Sequence, residues 1–218
     1  MKAASLDRSI PFPRVGPAES GLKSPARRTA VYVGLLFLVQ MLTAMVGISM
    51  IDTFVAGGAG AASARVGALL MTASGIAVTG IGFLMYPILK LVNAKLAAWY
   101  PALRVVELSV SAAGAVYLIT RLSEVPNHML WIYLPTGAGG LVLNYLLYVG
   151  KLVPRPIAVL GFAGYALLLS GAVADLLGVV DMNNGPGMVL LVPGGLFEFV
   201  VLPIWLFAKG FRLPAAHS

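Results

Sequence analysis

Long apolar runs, separated by short polar turns, fill the chain from about Val31 to Ala208. Each run is close to the roughly 20 residues that a helix needs to cross about 30 Å of hydrocarbon. The pattern predicts six spans, roughly 30–51, 66–89, 101–121, 128–149, 157–180 and 187–208. The breaks carry turn residues. Pro101 suits the first turn of the third helix, where its missing N–H costs nothing. Pro154 and Pro156 bracket Arg155 before the fifth helix, and Asn183-Asn184-Gly185-Pro186-Gly187 is a turn cluster before the sixth.

The expected fold class is therefore all-α, a polytopic membrane protein with a six-transmembrane-helix bundle over residues 29–210. Residues 1–28 form a basic tail in which Pro11, Pro13, Pro17 and Pro25 oppose helix, and this tail is expected to be largely disordered. Residues 211–218 form a short C-terminal tail. The N-terminal tail resembles the n-region of a signal peptide, and Ala62-Ser63-Ala64 resembles a cleavage site. The first apolar run is too long for the usual h-region, so it reads as a retained helix.

Composition supports this reading. Hydrophobic residues make up 59% of the chain and charged residues 11%, with a mean hydropathy of +0.92. Soluble domains carry about 25% charged residues, and 218 residues could not hide this much apolar surface from water. The net charge of +7 raises the question of nucleic acid, but the basic residues form no recognition helix. Thirteen of the fifteen Lys and Arg fall in the two tails, in the 2–3 and 4–5 turns or at their helix edges. Only Arg65 and Arg121 fall on the opposite side. The positive-inside rule then places both termini in the cytoplasm, and an even number of spans requires both ends on one side. The partners this implies are membrane lipids and not nucleic acid. The chain has no cysteine, which removes disulfides, thiolate nucleophiles and cysteine metal sites.

Candidate chemistry lies in what is polar inside the spans. Asp52, Glu124 and Asp181 fall in outer turns and read as solvated, whereas Glu107, Asp175 and Glu198 fall within apolar runs. An ionisable group at helix centre costs about 2.5–3.5 kcal/mol on insertion scales, so it normally faces the bundle interior, pairs or is neutral. Glu198 is the deepest, flanked by Pro193 and Pro203. Pro193 with Gly194-Gly195 should kink the sixth helix and free a carbonyl, making a polar pocket around the carboxyl group. The alternative is a carboxyl group that only locks packing. Glu107 follows Arg104 by three residues, a spacing that permits an intrahelical pair with Arg104 snorkelling toward the interface. Asn144 and Tyr148 on the fourth helix, with Gln40 and Thr43 on the first, match these groups in depth. Together they are expected to converge on one polar cavity open to the cytoplasm, with Trp205 either anchoring at the interface or capping the Glu198 pocket. Asp175 reads as a water-accessible helix end. The Gly-rich stripes on helices two, four and five read as interhelical packing.

No P-loop, dinucleotide fingerprint, HExxH or paired aspartate-rich motif is present, and the histidines, His128 and His217, are too few for a His-based metal centre. No cofactor or metal is expected. Any catalysis would be acid–base work by Glu198 and Glu107.

Pro154-Arg155-Pro156-Ile157-Ala158-Val159-Leu160-Gly161 resembles a signature of the DUF4386 family of bacterial membrane proteins. So do Val192-Pro193-Gly194-Gly195-Leu196-Phe197-Glu198, Leu202-Pro203-Ile204-Trp205-Leu206 and Lys209-Gly210-Phe211, and Arg104-Val105-Val106-Glu107 resembles that family's third helix. The resemblance covers about residues 28–212 and implies a six-helix protein of the bacterial inner membrane, in a family named for its unassigned function. Three functional classes stay open. One is a bundle, or carrier, that binds a small hydrophobic molecule or lipid, where a homodimer could supply the symmetry a carrier needs. Another is a metal-independent cyclase or isomerase of an isoprenoid or polyketide, with Glu198 as general acid. The third is a non-catalytic structural or regulatory subunit.

Overall fold

The computed structural model describes residues 25–182 and 185–212, and within them the chain is helical, with no strand. Six helices are long and apolar enough to cross a membrane: α1 (Pro25–Val55), α2 (Ala61–Leu89), α3 (Ala94–Arg121), α4 (His128–Val149), α5 (Arg155–Leu176) and α6 (Pro186–Ala208). Most of the expected tail, and Asn183 and Asn184 of the turn cluster, lie outside the described residues.

Several boundaries differ from the expected ones, for local reasons. α1 already starts at Pro25, so Arg27 and Arg28 belong to the helix and not to the tail. Arg27 donates to the backbone oxygens of Leu206 (2.6 Å) and Phe207, the last carbonyls of α6. A cation there complements the negative end of the helix, adding to the backbone N–H groups that the Leu206 carbonyl already accepts. α3 starts at Ala94, capped by Asn93, whose side chain accepts from the Leu96 N–H at 3.0 Å. Pro101 therefore lies inside the helix and not in its first turn, buried where Gly82 of α2 packs against it. α5 stops at Leu176, and Asp175 accepts the Met182 N–H at 2.6 Å. That carboxylate ties down the following turn, where the sequence suggested a solvated helix end.

α6 departs most from regular geometry. It opens as a 3-10 stretch over Pro186–Leu191, turns α-helical over Val192–Leu196, widens to a π turn over Phe197–Val201, and finishes as α-helix over Leu202–Ala208. The prolines account for this. Pro193 and Pro203 have no N–H to give and crowd the carbonyl four residues earlier. The Leu202 N–H reaches back five residues to the Phe197 carbonyl, the hydrogen bond of a π turn. Glu198 lies within that turn, so the expected interruption of the sixth helix is there and takes this form.

The helices form a ring in chain order, each packed on the next, and the ring closes where the second half of α6 meets α1. Close approach depends on glycine at two seams. A Cβ on Gly47 would stand 2.9 Å from the Gly67 carbonyl, and one on Gly164 would stand 2.5 Å from the Gly194 nitrogen. Small residues let helices meet at backbone distance in lipid. Most of the large core side chains, among them Phe37, Met85, Leu89, Tyr100, Leu143, Leu146, Leu147, Leu202 and Leu206, sit in the half of the bundle next to Pro25 and Ala208.

Candidate functional site

Polar side chains converge at the centre of the ring. Gln40 stands midway along α1, Ser74 along α2, Glu107 along α3, Tyr165 along α5 and Glu198 along α6. The Arg104 guanidinium donates to Glu107 at 2.6 Å and to the Tyr165 hydroxyl at 3.4 Å. The Tyr165 hydroxyl donates to one carboxylate oxygen of Glu198, and Gln40 Nε2 donates to the other at 3.2 Å. Gln40 is itself held, since Ser74 donates to its backbone oxygen at 3.0 Å. One connected network thus links α1, α2, α3, α5 and α6. Such a network in hydrocarbon is stable only when its members are satisfied by one another.

Arg104 is 2% exposed, and its guanidinium carbon lies 5.1 Å from the Tyr100 ring centre and 6.0 Å from that of Tyr165. The expected snorkelling toward the interface does not occur. The cation turns inward because two aromatic faces and a carboxylate replace its water. Thr79 accepts nothing from it but donates to the Arg104 backbone oxygen at 3.1 Å, joining α2 to this turn of α3.

Above the network lies a cavity of about 240 Å³. Gln40, Ser74, Glu107, Tyr165 and Glu198 form its polar floor, and Met41, Met45, Met71 and Met129 line its walls. Its other lining residues come from the halves of the helices that lead to the 1–2, 3–4 and 5–6 turns, including Ile48, Tyr133, Thr136, Leu168 and Leu191. The cavity therefore rises from mid-depth toward the end of the bundle opposite Pro25 and Ala208. That is the opposite end from the one expected. The reason is packing: below the floor, Tyr165 is pressed on Gly140 of α4, while Leu143, Leu146 and Leu147 fill the space beyond.

The cavity is also open sideways. The first half of α6 leans on α5, and α1 packs on α6 mainly from the π turn onward. Met45 lines the cavity and is still 58% exposed on the outer face of α1. On the facing helix, a Cβ on Gly195 would meet nothing within 4 Å.

The structure brings together four of the expected site residues, Glu198, Glu107, Arg104 and Gln40. Three others stand apart. Asn144 is fully buried but donates to its own helix at Gly140 (2.9 Å) and packs on Gly161, behind Tyr165 and outside the cavity lining. Tyr148 is 42% exposed, with the Arg155 guanidinium 5.6 Å over its ring, and belongs to an outer groove between α4 and α5. At the helix end a tyrosine suits the interface, where its ring and hydroxyl meet different media. Trp205 does not cap the pocket; it donates to the Gly210 backbone oxygen at 3.1 Å beneath the Arg212 guanidinium. Thr43 bonds back to its own helix at Val39 and Gln40. Tyr165, central to the network, was the residue the sequence reading passed over. Its signal was a tyrosine at mid-span on the Gly161, Gly164 and Gly171 face.

A smaller cavity of about 50 Å³ adjoins the first, sharing Ile48, Met71 and Met129, and is lined by Asp52, Glu124 and His128. In the 3–4 turn, partial burial and, less strongly, nearby Asp52 raise the Glu124 carboxyl above its ordinary range. Among the described residues no three His, Asp or Glu are placed to hold a metal ion.

Residues 113–210 match the family described as "Domain of unknown function (DUF4386)". The match takes in α4, α5, α6 and the end of α3, hence Tyr165 and Glu198, and stops short of Arg104 and Glu107. No curated protein and no solved structure matches the chain.

Proposed function

We propose that this DUF4386 protein, assigned to the family through residues 113–210, binds a small hydrophobic or amphiphilic molecule drawn from the bilayer. The observation that carries the reading is the mid-depth cavity of about 240 Å³ with a hydrogen-bonded polar floor and methionine-rich walls. Methionine adapts to ligands of differing shape. The cavity opens between α1 and the first half of α6, where Met45 lines it and is still exposed, so an occupant can enter from the bilayer. A purely structural role for the buried acids needs the network but not the space above it.

The same reading puts the protein in a bacterial cytoplasmic membrane with both termini inside, supported by twelve of the fifteen basic residues lying on that side, with Arg104 buried at mid-depth. Reporter fusions at Gly58 and at Ser218 test the orientation. For the pocket, the test is mass spectrometry of molecules that co-purify with the protein, compared with Gly195→Phe, whose ring fills the open space beside Gly195. A species bound by the wild type and lost from a folded Gly195→Phe supports the pocket. The same lipid complement in both proteins refutes it.

A further inference from the structure

Charge bookkeeping at the floor of the cavity points to the class of ligand. Among the described residues, the charged side chains at this depth are Arg104, Glu107 and Glu198. Arg104 does not line the cavity; it lies behind Tyr165 and is matched by Glu107 at 2.6 Å. Glu198 does line it, and both of its oxygens face neutral donors, the Tyr165 hydroxyl and the Gln40 amide. Two carboxyl groups therefore stand against one guanidinium. In hydrocarbon an uncompensated charge costs several kcal/mol, so the extra carboxylate has to be neutralised, either by a proton or by a cation in the cavity.

The remaining surroundings favour a cation. α2 presents Ser74 and α4 presents Tyr133 and Thr136, with no charged group from either helix. Tyr133 and Tyr165 also line the cavity, and aromatic side chains attract cations. In the adjoining small cavity, Asp52 and Glu124 add negative charge, with His128 the titratable group beside them. An anionic ligand would meet Glu198 with the one guanidinium screened behind Tyr165.

Resting on the pocket reading above, we infer that the ligand is a cationic amphiphile, an apolar body carrying an amine or quaternary ammonium group, which pairs with Glu198 and displaces a proton from it. In the empty site Glu198 carries the proton. On binding, the carboxylate pairs with the ammonium head and the proton passes to solvent, so charge is balanced in both states. Ligand and proton thus compete for one group, and by linkage each weakens the other.

The test uses full-length protein in nanodiscs and three probes with one tail: decyltrimethylammonium, decanol and decyl sulfate. The quaternary head has no proton of its own, so any pH dependence belongs to the protein. Calorimetry in two buffers of different ionisation enthalpy counts protons. The expected result is that the cation binds more than about tenfold tighter than decanol and releases about one proton, weakening about tenfold per pH unit over the range in which the empty site holds its proton. Glu198→Gln should lose both proton release and the preference for the cation over decanol. Decanol or decyl sulfate binding as tightly as the cation, or cation binding without proton release, overturns the inference and leaves the pocket standing. Failure of all three probes to bind wild type, with no difference from Gly195→Phe, overturns the pocket reading itself. Because the wild-type pH profile is decisive alone, the test stands even if Glu198→Gln does not fold.

Discussion

At the end of the bundle near Pro25 and Ala208, Leu143, Leu146 and Leu147 retain no exposed surface and the helices close around them. At the other end the same helices part around Met41, Met45, Met71 and Met129 and leave a cavity. In lipid the hydrophobic effect does not press helices together; contact, hydrogen bonds and small residues do. The two halves are both apolar and differ in how their side chains meet. The closed half gains dispersion contacts. The open half gives them up above a network of polar groups that the closed half would have had to bury.

The strongest way to break this contrast is at the boundary between the halves. Arg104→Met leaves the buried Glu107 without its cation and should destabilise the protein by about 3–5 kcal/mol, read as thermal unfolding in detergent. Arg104→Met combined with Glu107→Leu should recover most of that loss. Next, Leu143→Ala in the closed half should cost about 2–4 kcal/mol, whereas Met45→Ala beside the cavity should cost less than about 1 kcal/mol. Equal costs for the two would erase the distinction between the halves.

Glycine offers a finer comparison. Gly164→Ala brings a methyl group against the Gly194 and Pro193 backbone, at 2.5–2.9 Å, and should cost about 1–3 kcal/mol. Gly195→Ala, with nothing within 4 Å of the new methyl, should stay within about 0.5 kcal/mol. The smallest effect lies in the 3–4 turn. The Glu124 carboxyl is raised by burial and by Asp52, so folding favours its protonated form. Its contribution is present below the ordinary glutamate range and is lost as pH rises through the raised value. Wild type should therefore fall slightly below Glu124→Gln in melting temperature as pH climbs through that window, and a constant difference across it would count against the coupling.

The six helices were legible because length and hydropathy survive without knowledge of neighbours. Depth was legible for the same reason: Gln40, Glu107 and Glu198 meet because each lies mid-span. Which way a side chain faces was not. Tyr148 shares a depth range with Asn144 on the same helix, yet the last turn of α4 rotates it to the surface beside Arg155. Trp205 is two turns below Glu198, and the carbonyl freed at Gly210 draws its indole N–H away. Arg104 was read as an interfacial cation because its partners on α3 and α5, Tyr100 and Tyr165, are brought together only by tertiary packing. The kink in α6 was expected from its prolines, but the π turn depends on where the surrounding helices hold both ends.

Arg27 has one more consequence. Five of the six neighbouring helix pairs in the ring are joined by a peptide link at one end or the other. The sixth pair, α6 and α1, is joined by none, and the Arg27 side chain, bonded to the Leu206 and Phe207 carbonyls, takes the place of the missing connection. The molecule is in this sense a bracelet clasped by that guanidinium at its end and by the Gln40–Glu198 hydrogen bond at mid-depth. The unlinked pair is also the one that stands open to lipid beside Met45.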